Sequence, residues 1–173
     1  VKKHGKLLFV DAVSSMGGTE IKVDKWGLDV CFTGSQKCFG IPPGLAMGSV
    51  SEEALKKSEV VKNKGWYFDF KLWERYQKSA GTPMTSVIPQ IVGLNRILKL
   101  IDEWGGKEEY FDLYRERNRR IREGVQRLGL ALFPKEGYES PTVSCVNAPR
   151  SVNGVEVYRR MREKGFELAE GYG

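Results

Sequence analysis

The sequence has one histidine, His4, and three cysteines, Cys31, Cys38 and Cys145, in 173 residues. That scarcity excludes much. Zinc sites draw several Cys and His ligands from short spacings, and here there is no C-x-x-C pair and one imidazole. A histidine-activated nucleophile fares no better, because its base would have to be His4, beside Gly5 in a loop-like stretch. Cys31 lies in an apolar run and reads as a small buried hydrophobe. Long apolar runs are missing as well. "LLFV", residues 7–10, is far short of the ~20 residues a membrane-spanning helix needs. The opening "VKKHGKLLFV" is basic but has no long apolar core and no small-residue cleavage site. A cytoplasmic location with no membrane partner is the expectation. There is no internal repeat and no low-complexity tract.

What is present suits a globular protein. Hydrophobic residues make up 40% and aromatics 11% of the chain, which excludes a wholly disordered one, and the length suits one large domain or one and a half. The net charge of +6 raises the question of nucleic acid. Its densest source is "RERNRRIREGVQR", residues 115–127. On a helix, Phe111, Tyr114, Ile121, Val125 and Leu128 share one face, with Asn118 as a polar gap. The arginines then fall on the other faces among Glu116 and Glu123, as on a solvated helix surface with favourable charge pairs. No nucleic-acid partner is expected, and a basic nucleic-acid-binding module is the rival reading.

Along the chain, "KLLFVDAVSS" reads as a buried strand ending at Asp11, and "LDVCFTGS" as a second buried strand after a turn-rich connection. "GLAMGSV" is a third strand candidate, followed by a helix with Ser51 as N-cap and Glu52 and Glu53 in its first turn. Residues 61–80 are aromatic-rich and read as irregular. "TPMTSVIPQIVGLNRILKLIDEWGG" predicts a helix capped by Thr85 or Ser86, with Pro89 in its first turn and a buried stripe of Val87, Ile91, Leu94, Leu98 and Ile101. After the Arg-rich helix, "GLALFP" and "TVSCVNAP" read as strands, "NGVEVYRRMREKG" as a helix stopped by Gly165, and "FELAEG" as the start of another strand. The order predicts an α/β fold, with residues 1–107 forming the end of a large α/β domain and 108–173 a smaller α+β domain. Both ends read as cut.

One stretch stands apart. "GSQKCFGIPPG", residues 34–44, puts Lys37 in a loop punctuated by two prolines and glycines, where an amine can be held still. In a parallel α/β sheet, ligands sit beyond the carboxyl ends of the strands, and Asp11 and Lys37 each follow such an end. A lysine amine that condenses with an aldehyde and a carboxylate that holds a pyridine nitrogen protonated are the two groups pyridoxal 5'-phosphate chemistry most needs. On spacing alone, a turn Asp and a solvated Lys are the plainer account.

The surrounding residues are more specific. "LLFVDAVSSMGGTEIKVDKWGLDVCFTGSQKCFGIPPGLAMGSVS" closely resembles the cofactor-lysine region of the class V aminotransferases, the fold type I group that includes serine–pyruvate and alanine–glyoxylate aminotransferases. "YFDFKLWERYQKSAGTPMTSVIPQIVGLNRIL" resembles the family's aromatic loop and Thr-Pro-x-Thr helix start, and "RERNRRIREGVQRLGLALFP" the beginning of its small domain. The resemblance implies pyridoxal 5'-phosphate as cofactor. It implies Lys37 as the Schiff-base lysine and later the acid/base for a 1,3-proton shift. Asp11 would hold the pyridine nitrogen and Val13 would pack on the ring. Gln36 would bond near the ring oxygen or phosphate. Thr85, with Thr82 beside it, would reach the phosphate of a neighbouring subunit, so a homodimer is implied. Gln36 stands where related cysteine desulfurases carry His, which favours the aminotransferase branch and leaves Cys38 a packing role.

The family also implies a glycine-rich phosphate loop and a ring-stacking aromatic before this stretch, and a substrate-carboxylate arginine after it. None of Arg115, Arg117, Arg119, Arg120 or Arg122 fits that last role. The expectation is therefore an internal stretch of a longer transaminase, inactive alone. Its substrates would be a small amino acid such as serine or alanine and a small 2-oxo acid such as glyoxylate or pyruvate. An aminophosphonate transaminase or a lyase of the same family is the alternative.

Overall fold

Three short strands organise the amino-terminal half of the computed structural model, which describes residues 1–170. They are β1 (Phe9–Asp11), β2 (Val30–Gly34) and β3 (Ala46–Val50), in spatial order β1-β2-β3. β1 runs parallel to β2, with Phe9 opposite Val30 and Asp11 opposite Phe32, while β3 returns antiparallel, with Gly48 opposite Phe32. The parallel pair requires a crossover, and the short helix α1 (Val23–Trp26) lies within it, stopped by Gly27 in a left-handed conformation. That crossover folds over one sheet face: Ala12, Leu28 and Cys31 form a buried cluster packed by Leu8, Val10, Met16, Ile21 and Val23. Side chains alternate across a strand, so Phe9 and Phe32 point to the other face and are exposed.

The amino edge of the sheet is fixed by one carboxylate. Asp29 is 2% exposed, and its oxygens accept from Lys2 Nζ (2.7 and 2.8 Å), the Leu8 N–H (2.7 Å) and Ser51 Oγ (3.0 Å). Lys2, a neutral donor and a hydroxyl stabilise the ionised form together, so the Asp29 carboxyl is held below its ordinary range, the Lys2 hydrogen bond being the largest cause. Ser51 also caps α2 (Glu52–Glu59) through the Ala54 N–H, as expected.

Residues 61–80 are more ordered than their composition suggested. α3 (Phe70–Lys78) begins at Asp69, whose side chain accepts from the Lys71 N–H, and Trp73 Nε1 donates to the Tyr67 carbonyl at 2.7 Å. The Asp69 cap was the signal hidden by the aromatics. α4 (Ile88–Glu103) forms with Pro89 in its first turn, but neither Thr85 nor Ser86 caps it. Val87 occupies the N-cap and has no polar side chain to bond there, while Ser86 Oγ, one residue earlier, bonds Thr82 Oγ1 at 2.9 Å. Of the expected stripe, Ile101 is buried and Leu94 half-buried, whereas Val87, Ile91 and Leu98 are exposed.

The chain divides into two compact units, Val1–Phe111 and the residues from Asp112 onward, with the division inside α5 (Lys107–Arg127). In the second unit Asn118 is no polar gap. It is buried, donates to the Pro141 and Tyr114 carbonyls at 2.7 and 3.2 Å, and accepts from Ser144 Oγ at 2.7 Å. The arginines pair as expected, Arg119 with Glu116 and Glu123 and Arg120 with Glu116, while Ile121 and Leu128 are exposed. The expected strands "GLALFP" and "TVSCVNAP" shrink to one antiparallel bridge, Leu132–Val146. In this register Pro149 falls at a hydrogen-bonding position opposite Gly129 and has no N–H to extend the ladder. α6 (Gly154–Glu163) is capped by Asn153. "FELAEG" forms no strand through Glu170, and its Gly171 lies outside the described residues. Among the described residues no helix is long and apolar enough to cross a membrane, and no cluster of His, Cys, Asp and Glu could hold a metal.

Candidate active site

β1 and β2 point the same way, so their carboxyl ends share one edge, and four of the residues singled out in the sequence gather there. Asp11 closes β1, and the Ala12 N–H donates to the Phe32 carbonyl at 2.9 Å, pinning the chain to β2 one residue past the carboxylate. Asp11 Oδ1 accepts from the Val13 N–H at 2.9 Å; Oδ2 has no hydrogen bond among the described residues. The Asp11 side chain is exposed and Val13 half-buried in the turn that follows.

Beyond β2 the chain makes the turn that carries Gln36 and Lys37. The Gln36 side chain folds back over Gly34 at its start, with Oε1 2.6 Å from where a Cβ would stand. Ser35 is fully buried and organises the loop: its Oγ donates to the Pro42 carbonyl at 2.8 Å and accepts from the Leu45 N–H at 3.4 Å. Backbone bonds Ser35 N to Leu45 O (3.0 Å), Ile41 N to Ser35 O (3.3 Å) and Gly40 N to Lys37 O (2.9 Å) complete it. Cys38 is buried with Sγ 3.6 Å from the Ser14 carbonyl, and its own carbonyl accepts from Tyr110 Oη at 2.7 Å. The packing role expected for Cys38 is what it has. Lys37 itself is exposed, and Nζ makes no hydrogen bond or ion pair among the described residues. The backbone is held and the amine is free.

Thr82 and Thr85 lie in the exposed loop before α4. Thr82 Oγ1 donates to the Met84 carbonyl at 2.6 Å, and no hydrogen bond joins either threonine to Asp11, Gln36 or Lys37. The Lys37 loop does reach α4: Gln90 Nε2 donates to the Pro43 carbonyl at 3.3 Å, and Gly93 leaves room for Ile41. Sequence reasoning passed over Ser35 and Tyr110. Ser35 carried a usable signal, a short hydroxyl within a Pro- and Gly-rich loop whose amides need partners. Tyr110 carried none, since nothing in the sequence brings it 72 residues back to Cys38.

An exposed carboxylate with an open oxygen and an unpaired primary amine, on adjacent parallel strand ends, can hold a protonated ring nitrogen and capture a carbonyl carbon. Comparisons with known proteins identify the family. A sequence model of the family described as Aminotransferase class-V matches residues 1–172. The chain belongs to the class V aminotransferase family. It is 37% identical over 157 residues to an uncharacterised aminotransferase of Methanocaldococcus jannaschii, covering 88% of this chain and 40% of that protein. Serine–glyoxylate aminotransferase of Arabidopsis thaliana is 34% identical over 174 residues, covering 99% of this chain and 43% of its own length. The crystal structure of an alanine–glyoxylate aminotransferase from Nostoc superposes with a TM-score of 0.89 at 31% identity, over 99% of this chain and 46% of that one. The chain thus spans less than half the length of the relatives it matches. The mixed α/β fold is that of these aminotransferases, and the family implies pyridoxal phosphate.

Proposed function

We propose that the protein to which this chain belongs transfers an amino group from a small amino acid of the serine or alanine type to a small 2-oxo acid of the glyoxylate or pyruvate type, with Lys37 as its catalytic residue. The observation that carries this is the placement of Asp11 and Lys37 at the shared carboxyl edge of β1 and β2, the first with an open oxygen and the second with an unpaired amine. Glyoxylate as acceptor is favoured by the names of the Arabidopsis and Nostoc relatives. When bound, pyridoxal phosphate supplies an electron sink for the charge that develops at the substrate Cα.

The chain's own residues prepare that chemistry. Asp11 Oδ2 would accept a hydrogen bond from a protonated ring nitrogen and so keep that nitrogen charged, its carboxylate oriented by the Val13 bond and the β1–β2 register. Lys37 Nζ would hold the cofactor covalently and, once released, would serve as the acid/base for the 1,3-proton shift. Its stem allows that reach while the Ser35 network keeps its origin fixed. Val13 would pack on the ring face and Gln36 would bond near the ring oxygen or phosphate. Thr85, with Thr82 beside it, serves a phosphate across a homodimer interface in a cytoplasmic enzyme.

The test is to incubate the chain with pyridoxal phosphate, reduce with borohydride and map the modified lysines by peptide mass. Modification concentrated at Lys37 and lost in Asp11→Ala supports the assignment. Modification spread evenly over exposed lysines such as Lys56 and Lys57 refutes it for this chain.

A further inference from the structure

The Lys37 turn has room to move behind it. A half-open cavity of about 450 Å³ lies against Phe39, lined also by Gly17, Leu98, Ile101, Tyr110 and Phe111. Packing alone therefore does not fix the turn on that side. The polar contact that crosses the gap is the Tyr110 hydroxyl, which donates to the Cys38 carbonyl at 2.7 Å from a side chain only 6% exposed.

That hydroxyl is itself firmly held. Gly105 and Gly106 adopt φ +107° and +95°, a reversal that joins α4 to α5 and that side chains with a Cβ rarely allow. Tyr110 follows in the first turn of α5, its N–H donating to the Gly106 carbonyl, and its ring lies 6.0 Å from that of Trp104. The hydroxyl thus projects from a helix start toward a carbonyl one residue past the lysine.

We propose that Tyr110 is a positioning residue for Lys37. By holding the Cys38 carbonyl it fixes the plane of the Cys38–Phe39 peptide, next to the carbonyl of Lys37 that already accepts from Gly40. Two consecutive carbonyls are then fixed, and with them the direction in which the lysine stem leaves the chain. Lysine has a long, mobile side chain, so an error in its origin is carried to Nζ, and a displacement of 1 Å at a reacting group can cost about a hundredfold. Tyr110 touches neither substrate nor cofactor; its effect passes through the backbone. The inference rests on Lys37 being the covalent residue.

Tyr110→Phe is the variant to use, because it keeps the ring beside Trp104 and removes one oxygen. Two readouts separate the claims. The first is the borohydride-trapped modification of Lys37 by pyridoxal phosphate, as a ratio to that of Lys56 and Lys57. This ratio is expected to fall about tenfold in Tyr110→Phe while the thermal midpoint shifts little. The second needs no cofactor: amide hydrogen exchange at Gly40 and Ile41 is expected to quicken about tenfold, with exchange in β2 unchanged. If Lys37 is not preferentially modified even in the unaltered protein, the functional reading fails, and exchange alone decides the role of Tyr110 in fixing the turn. Unchanged exchange at Gly40 and Ile41 overturns the proposal. So does a loss of Lys37 modification that merely parallels global unfolding.

Discussion

Removing the Ser35 hydroxyl is the sharpest test of whether the Lys37 loop is held by side-chain bonding or by its prolines. Ser35→Ala deletes a donor to the Pro42 carbonyl at 2.8 Å and an acceptor for the Leu45 N–H at 3.4 Å, from a residue with no exposed surface. A neutral hydrogen bond contributes about 1 kcal/mol net, and a buried group left without its partner costs about 1–3 kcal/mol. The second contact is at the outer limit of hydrogen-bond length and adds little. Pro42 is exposed, so water can replace the lost donor and the penalty falls toward the lower end. The expected loss is about 1–2 kcal/mol, read as a lower urea midpoint at unchanged slope. Hydrogen exchange at Leu45 and Gly40 should quicken in parallel, since their bonds belong to the same turn. A loss under about 0.5 kcal/mol with unaltered exchange would show that Pro42 and Pro43 hold the loop and that the Ser35 bonds are incidental.

Other expectations are as specific. Gly17 has φ +88° with the Phe39 ring 3.2 Å from where a Cβ would stand, so Gly17→Ala should destabilise by about 1–2 kcal/mol in urea unfolding. The Asp29 carboxyl is lowered in the folded chain, so its contribution is present above the unfolded value near 3.9 and is lost as pH falls toward the folded value. The urea-midpoint gap between the unaltered chain and Asp29→Asn should therefore be large at pH 7 and shrink below about pH 4. Glu116 and Glu156 are each held at about 2 by paired arginines, Arg119 and Arg120 for the first and Arg159 and Arg160 for the second. Their carboxyl NMR resonances should not titrate until pH is well below 4. Because those arginines are already engaged, a fluorescent DNA duplex should show no salt-dependent binding near 0.1 M salt; binding that falls steeply with salt would restore the nucleic-acid reading.

The legible features were those encoded within a few residues. The Ser51 cap, the strand ending at Asp11, the Gly-Ser-Gln-Lys turn and the alternating charges of α5 are local, and each is present in the structure, although β1 was expected to be buried and is exposed at Phe9 and Asp11. Features that depend on what lies opposite were misread. The stripe on α4 is a genuine apolar face, yet periodicity states only that Val87, Ile91 and Leu98 share a side, not that anything covers them. Asn118 read as a gap because nothing in the sequence says that Pro141 and Ser144 return to it. The carboxyl-terminal strands were judged from apolar content, but the ladder is one bridge, and Pro149 has no N–H to extend it. Within the candidate site, the positions of Asp11, Val13, Gln36 and Lys37 after β1 and β2 were legible, because they follow the strand order. Tyr110 was not, because its partner is far away in sequence.

The same two residue types occur at both ends of the same strands, and the two pairs differ in how fully their polar groups are bonded. At the amino edge, both oxygens of Asp29 accept from Lys2, and the Leu8 N–H and Ser51 hydroxyl occupy remaining lone pairs. Every charge there is spent on internal partners, and a ligand would have to displace them. At the carboxyl edge, Asp11 has one oxygen engaged and one open, and Lys37 has an amine without a partner on a backbone bonded at Ser35, Lys37 and Cys38. An unpaired charge contributes nothing to folding, and rigidity around a free side chain has an entropic cost. Both make sense where the missing partner is a bound molecule, because the order is then already in place when it binds. Saturation, more than residue type or spacing, separates the structural Asp/Lys pair from the pair proposed to be chemical. It also implies an asymmetry open to measurement: Asp29→Asn should lower stability and spare Lys37 modification, whereas Asp11→Asn should spare stability and weaken that modification. Equal effects of the two changes on both readouts would remove the distinction.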